Sequence, residues 1–351
     1  MQKGRTGRKR GLMLIAASML AVLCVVPAAV GAGPATDGPK PGINLSGGEF
    51  KPSGSVRGVD YAYPTRTDVL NAAHAGFRVV RLPFLAKRIL SGAIPRDGEA
   101  TDLEQVADLV DTAARAGMAV VLDMHDYGFD ANGDLIGQTP GSAQTFADSW
   151  ATIAATFRDR RNVIFGLMNE PHFQSPRMWR IAANQAIAAI RDTGARQGIL
   201  VPTTDWSIAS RWSRNGNAEE MAKIVDPANN FAIELHQYFD RDQSGRRETV
   251  REGIGSSALA DFTAWARANG RRGFLGEFAW ADGAAGEREG TALLAYMAAN
   301  ADVWAGWAYW GGGSQWGDYM FALVDSRGAE RPQMRVLRGH MGRPVAIGAS
   351  R

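Results

Sequence analysis

Two glutamates stand where apolar runs end. Glu170 follows Val163-Ile164-Phe165-Gly166-Leu167-Met168-Asn169 and precedes Pro171, and Glu277 follows Phe274-Leu275-Gly276. A carboxyl pair emerging from buried strands can divide acid and nucleophile work, with the surroundings holding one group protonated and the other ionised. Glycoside hydrolysis needs such a pair. Spacing along the chain does not report separation in space, so the residues alone leave retaining and inverting chemistry open. The ends of the other apolar runs add Asn44, Arg81, Asp123, His125, Asn169, Asp205, Trp206, His236, Tyr238 and Trp310. Any one of these could merely cap a helix or pair with a neighbour. Two glutamates, an arginine and two histidines converging on one rim point instead to a site. Trp206, Trp212, Trp280, Trp310 and Trp316 fall in or beside the loops after the fifth, seventh and eighth runs, whereas Trp150 and Trp265 sit on helical stripes. Flat apolar faces on a rim suit the C–H faces of sugar rings, while acidic and amide side chains suit the hydroxyls, so a polysaccharide groove is expected.

The elements that must position these groups are legible as a repeat. Short apolar runs occur at 43–45, 79–82, 119–124, 163–168, 199–201, 231–235, 273–276 and 304–309, rich in β-branched and aromatic residues and punctuated by Gly or Asn. That pattern predicts eight buried parallel strands. Between them lie helical stripes. Over 102–116 the stripe is Leu103, Val106, Ala107, Val110, Ala113 and Ala114, with Thr101 and Glu104 as a capping box and Gly117 as the stop. Phe146, Trp150, Ile153, Ala154 and Phe157 form a second stripe, Ser175-Pro176 opens a helix to about Arg191, and a weaker helix is expected over 218–224. Eight strands alternating with helices fit an α/β fold of one domain over 42–351, a single (β/α)8 TIM barrel. An open doubly wound sheet shares the periodicity, but no Gly-x-Gly-x-x-Gly follows the first strand. In a barrel the chemistry sits at the C-terminal ends of the strands, where the residues above lie.

The chain has 351 residues, 39 Lys and Arg against 36 Asp and Glu, 45 % hydrophobic residues and one cysteine, which excludes disorder, collagen-like repeats and a disulfide scaffold. Residues 1–32 form a signal-peptide pattern: Lys3, Arg5, Arg8, Lys9 and Arg10, then an uncharged run from 11 to 26, Pro27 and small residues. An uncleaved membrane anchor is the competing reading. Cleavage before Gly33 removes five positive charges and leaves 34 basic against 36 acidic residues, a balance of −2. The basic character thus belongs to the leader, and no nucleic-acid partner is expected. Cys24 lies inside the leader behind Leu23, which disfavours lipidation and leaves the mature chain without a thiol. Residues 33–41 read as a Gly/Pro/Asp linker. The expected destination is secreted or periplasmic, without stable membrane association after cleavage.

Other motifs carry less. Asp240-x-Asp242-x-Ser244-Gly245 imitates a calcium loop, but its twelfth position is Arg251, so a loop held by its own side-chain hydrogen bonds is expected. Asp123, His125 and His236 could cluster around zinc, yet there is no His-Glu-x-x-His pair. No metal and no cofactor is expected. Gly311-Gly312-Gly313 lacks the Lys of a phosphate loop and is read as letting the backbone turn sharply or pass close to a substrate. His74 and His340 are assigned to packing or solvent, and His172 to shaping its loop.

These residues resemble glycoside hydrolase family 5, the cellulase family of (β/α)8 barrels, from about 42 to 321. The likeness is carried by Asn169-Glu170-Pro171, Gly276-Glu277-Phe278, Arg81-Leu82-Pro83, Asp123-Met124-His125-Asp126-Tyr127, His236-Gln237-Tyr238 and Trp307-Ala308-Tyr309-Trp310, in the family's order. Gly42-Ile43-Asn44-Leu45-Ser46-Gly47, the extension Asn169-Glu170-Pro171-His172 and the 236–245 segment are similar to its endo-β-1,4-glucanase subfamily, subfamily 5. The resemblance implies retention and a cellulose-like β-glucan as the partner, with a monomer expected. Glu170 would be acid/base and Glu277 nucleophile. Asn169 would bind the 2-hydroxyl, Arg81 and Tyr238 would hold the nucleophile, and His125 and His236 would border the same sugar. Trp310 would be its stacking floor, with Trp206 and Trp212 as more distant platforms. Retention predicts about 5 to 5.5 Å between the two carboxyl groups. Mannan or xyloglucan hydrolysis, and a silent carbohydrate-binding barrel, remain as alternatives. No second module is read after the barrel, so crystalline cellulose is expected to be a poor substrate.

Overall fold

The computed structural model describes residues 38–92 and 99–341, with positions 1, 2 and 4. The leader and residues 33–37 of the linker otherwise lie outside the described residues. Among the described residues no helix is long and apolar enough to cross a membrane.

Eight strands close into a parallel barrel in sequence order: β1 Lys40–Leu45, β2 Val79–Phe84, β3 Ala119–Met124, β4 Val163–Gly166, β5 Gly198–Pro202, β6 Phe231–Tyr238, β7 Gly273–Ala279 and β8 Trp304–Gly312. All eight expected strands are present. The linker boundary is corrected: Lys40 and Pro41 belong to β1, paired with Gly306 and Trp307 of β8, and the Pro41 carbonyl accepts the Arg78 N–H. Proline is tolerated there because the strand's first turn of ladder needs its carbonyl, not an N–H. Strand β4 ends at Gly166 rather than at Met168. The chain still follows the barrel wall, with Leu167 N–H donating to the Leu200 carbonyl and Asn169 N–H to that of Met124.

Helices pack outside the barrel. Asp102–Arg115 starts from Thr101, whose capping box with Glu104 is formed. Ser175 caps Pro176–Asp192, and the weak helix shortens to Asn217–Met221, opened by Gly216 in a left-handed conformation. The barrel interior explains where chemistry can sit. Val79, Val121, Leu200, Phe274 and Ala308, from five strands, pack on one another with Ile164 and Ala232 at their edge, so they fill the interior as an apolar plug. Side chains two residues further along a strand point the same way. Two residues past the plug come Arg81 after Val79, Asp123 after Val121 and Glu234 after Ala232, a charged layer directly above the plug. Gly276, two past Phe274, has no side chain because a Cβ there would lie 2.0 Å from Glu234 Oε1.

Candidate active site

Arg81 is the hub of the charged layer. Its side chain is fully buried, and its guanidinium reaches Glu234 Oε1 at 2.9 Å, Asn169 Oδ1 at 2.7 Å, Asn44 Oδ1 at 3.1 Å, Asp123 Oδ2 at 3.0 Å and Glu277 Oε1 at 2.9 Å. A planar fork of five N–H donors can serve this many acceptors at once; a lysine cannot. Asn44 in turn donates to the carbonyls of Gly276 and Ala308, tying β1 to β7 and β8 at this level.

Glu277 is held at both oxygens, by Arg81 and by the Tyr238 hydroxyl, which donates to Oε2 at 2.7 Å. Burial raises its pKa, but His236, Arg81 and His125 outweigh burial and keep the carboxyl below its ordinary value. Glu170 differs. Its burial, together with the negative charge of Glu277, holds it above the ordinary value even though His236 Nδ1 bonds its Oε1 at 2.8 Å. The backbone presents it from a left-handed conformation, φ +44°, directly before Pro171, a strained geometry of the kind found where a side chain must be aimed. His236 lies between the two carboxyls and Glu234, 3.5 Å from the latter. Burial opposes its charge, yet Glu277, Glu170 and Glu234 push its pKa up to about 10. Oxygen atoms of Glu170 and Glu277 and a ring nitrogen of His236 all lie within 4.8 Å of one another.

Above this cluster opens a cleft of about 580 Å³, lined among others by His125, Tyr127, Trp206, Trp310 and Tyr319. The ring of His125 is stacked on Trp310, with centroids 5.8 Å apart, while its Nδ1 bonds Asp123 at 2.7 Å. Burial would discharge His125, but Asp123, Glu49 and Glu277 raise its pKa. Trp206 stands on three successive left-handed residues, Asp205, Trp206 and Ser207, at φ +60°, +61° and +55°. Ser207 pins the turn to both the N–H and the carbonyl of Thr203, and Asp205 is paired with Arg211 at 3.1 Å.

Residues 39–313 match the Cellulase family (glycosyl hydrolase family 5). The chain belongs to glycosyl hydrolase family 5. It is 33 % identical over 291 residues to Endo-beta-1,4-glucanase B of Emericella nidulans, covering 82 % of this chain and 86 % of that one. Endoglucanase gh5-1 of Neurospora crassa is 32 % identical over 291 residues, 82 % of this chain and 73 % of its own length. Among solved structures, the endo-beta-1,4-glucanase Xac0029 of Xanthomonas axonopodis pv. citri superposes with a TM-score of 0.81 at 38 % identity, covering 87 % of this chain and 99 % of that one. XacCel5A in complex with cellopentaose gives 0.79 at 36 %, with coverage of 86 % and 99 %.

In this family 5 barrel the structure gathers Arg81, His125, Asn169, Glu170, Trp206, His236, Tyr238, Glu277 and Trp310 at one mouth. Trp212 is a correction. It is 2 % exposed and packs edge-on against Phe262 and Trp265, because the chain after β5 folds back as the short 3-10 turn Ala209–Arg211 and drives the indole under the rim. Trp280 is likewise buried in the core, while Trp316 backs Trp310. The Gly311-Gly312 step serves the fold rather than a substrate: Cβ atoms there would meet the Phe321 carbonyl and Ile43 at 2.4 and 2.2 Å. The 240–246 loop is held by its own hydrogen bonds, with Asp240 accepting from Ser244, Gly245 and Arg246. His172, expected only to shape its loop, lines the cleft. Sequence reasoning missed Glu234 and Tyr319, and gave Tyr127 no role of its own beyond its motif. For Glu234 a signal existed: a carboxylate inside the apolar run Phe231-Ala232-Ile233-Glu234-Leu235 needs a buried partner, and Arg81 and His236 supply it.

Proposed function

We propose that this enzyme is a retaining endo-β-1,4-glucanase, with Glu277 as nucleophile and Glu170 as acid/base. The observation that carries the reading is the carboxyl pair, with oxygens within 4.8 Å and pKa values displaced in opposite directions. Inverting chemistry needs about 6.5 to 9.5 Å, room for a water beneath the sugar, and retention about 5 to 5.5 Å. The similarity to endo-β-1,4-glucanases, one of them solved with cellopentaose, supports β-1,4-glucan as the substrate class.

In the first step a Glu277 oxygen bonds to the anomeric carbon while the glycosidic C–O bond breaks, and the departing oxygen takes the Glu170 proton. General acid help of this kind is typically worth about 10² to 10⁴ in rate. The carboxylate left at Glu170 is met by His236 Nδ1–H. Once Glu277 is esterified its charge is gone, and with it one of the causes that raise the Glu170 pKa. Glu170 then takes a proton from water as the water attacks the anomeric carbon, and Glu277 leaves as carboxylate. Asn169 Nδ2 is buried without a protein partner while its Oδ1 is fixed by Arg81, which leaves the amide as a donor for a substrate hydroxyl. Trp310 and Trp206 offer stacking faces to sugars, as expected for aromatic rings in a carbohydrate cleft. Export follows from the leader reading of residues 1–32, checked by sequencing the N-terminus of protein recovered outside the cytoplasm.

The mechanistic test is chemical rescue. Glu277→Ala is expected to be inactive, and added azide should restore turnover with an α-glycosyl azide as product, while Glu170→Ala with an activated aryl substrate should give the β-azide. An inverted first-formed anomer from the wild-type enzyme would remove the nucleophile assignment. Release of reducing ends from carboxymethyl cellulose should exceed that from mannan or xyloglucan; the reverse order would move the substrate to another β-glycan.

A further inference from the structure

The aromatic surface does not stop at the wall of the cleft. Among the described residues two large aromatic side chains are exposed, Trp206 at 38 % and Phe173 at 61 %. They are not scattered. His172 lies flat on Trp206, with centroids 3.5 Å apart and planes 9° apart, and the Phe173 ring is 4.1 Å from His172, tilted by 44°. Trp206 and His172 line the cleft, and the exposed Phe173 ring packs against His172. A lone exposed apolar side chain is ordinary; a run of rings continuous with a substrate cleft is not.

Phe173 is also braced. Phe129, from the loop after β3, stands edge-on to it at 5.6 Å. On either side of Phe173, His172 Nδ1 bonds the Glu170 carbonyl oxygen at 2.9 Å and the buried Gln174 amide donates to the Gly128 carbonyl at 2.5 Å. Ser175 then begins the helix Pro176–Asp192. The ring is thus presented by two pinned loops, and a ligand docking on it orders little that is not ordered already. A phenyl face offers no hydrogen bond, so it suits the C–H face of a neutral pyranose rather than a charged or hydroxyl-directed ligand. Phe173 lies three residues after Glu170 on the same loop, and in the proposed mechanism Glu170 is the group that protonates the departing sugar.

We propose that Phe173, backed by Phe129 and His172, is a distal sugar-binding platform that extends the leaving-group side of the cleft beyond Trp206. The proposal rests on the glucanase reading, and its occupant is the continuing β-glucan chain, argued from continuity of the rings with the cleft.

The test uses the full chain carrying Phe173→Ala or Phe173→Trp, with reducing-end-labelled cello-oligosaccharides from triose to hexaose and an aryl β-cellobioside, whose leaving group is too short to reach the platform. For Phe173→Ala the ratio of kcat/KM on cellohexaose to that on the aryl cellobioside is expected to fall about 3- to 10-fold, the range of one aromatic stacking contact. Cleavage of cellohexaose should also shift toward its reducing end, releasing shorter labelled fragments, and Phe173→Trp should keep the wild-type pattern. Equal loss on every substrate would make Phe173 a loop scaffold and overturn the proposal, as would an unchanged length dependence and cleavage pattern. A changed sedimentation coefficient with unchanged cleavage would make this face a contact between copies of the chain, and overturn it too. A wild-type enzyme inactive on all these oligosaccharides but active on another β-glycan would instead remove the glucanase reading.

Discussion

At the scale of single residues, the site is organised by one cation. Arg81 touches Glu277, Asp123, Glu234, Asn44 and Asn169 from a position with no solvent contact, so the desolvation of the guanidinium is offset only by that full set of partners. Removing one member of a buried ionic cluster typically costs about 3 to 5 kcal/mol, because the charges left behind have no water to turn to. Arg81→Lys keeps the charge but leaves some of those acceptors without a donor, and is expected to destabilise the fold by about 1 to 3 kcal/mol and to lower kcat by at least about 10²-fold. The sign on pH follows directly: a less well placed cation lets the Glu277 pKa rise, so the acid limb of the rate profile moves to higher pH. Urea unfolding and initial rates across pH check both parts. A Lys variant with wild-type kcat and an unmoved acid limb would show that Glu277 is poised by His236, His125 and Tyr238 without Arg81. Glu234 acts in the same cluster from the other side, bonding Arg81 Nε and facing His236 Nε2, and burial, which would raise its pKa, is outweighed by those two cations.

At the scale of elements, the register of neighbouring strands decides which side chains meet. Between β6 and β7 the pairing slips after Leu235 and its partner Leu275, so that His236 faces Glu277 and Gly276 is left in the bulge. That slip places both His236 and Glu277 toward the mouth, as bulges beside active sites do. Gly276 is required there by space rather than by backbone conformation. Gly276→Ala is expected to cost about 1 to 3 kcal/mol from overpacking and to depress kcat, since the new Cβ displaces the carboxylate that anchors Arg81. Denaturant titration with steady-state kinetics checks this, and an Ala variant with unchanged kcat would mean that Glu234 can move without disturbing the site. The helices were more legible than the loops. Thr101 with Glu104 and Ser175 with Pro176 announce their helices through local hydrogen bonding, which depends on neighbours a few residues away. The burial of Trp212 depends instead on a turn that brings it to Phe262 and Trp265, far along the chain, and nothing in its own neighbourhood signals that contact.

At the scale of the whole molecule, the barrel sets two carboxyls of the same intrinsic acidity to opposite sides of their ordinary value of 4.5. In the proposed mechanism Glu277 must be ionised and Glu170 protonated. The rate should therefore rise as pH climbs through the depressed Glu277 pKa and fall as it passes the raised Glu170 pKa, a bell whose maximum lies between the two. The kcat/KM profile on a soluble cello-oligosaccharide measures it, and a rate that kept climbing into alkaline solution would remove Glu170 as the general acid. The eight strands and their tips could be read from the chain because strand burial and helical stripes are periodic and local, and a barrel has one end for chemistry. The sequence by itself therefore determined the fold class and the set of residues at the strand ends. Only the tertiary structure decided which of them touch, that a third carboxylate underlies the arginine, that one tryptophan belongs to the core and another to the cleft, and that the aromatic surface runs on to Phe173. Those outcomes rest on barrel closure and loop packing between residues distant in the chain, and the pattern along any one segment carries no information about the partner it will meet.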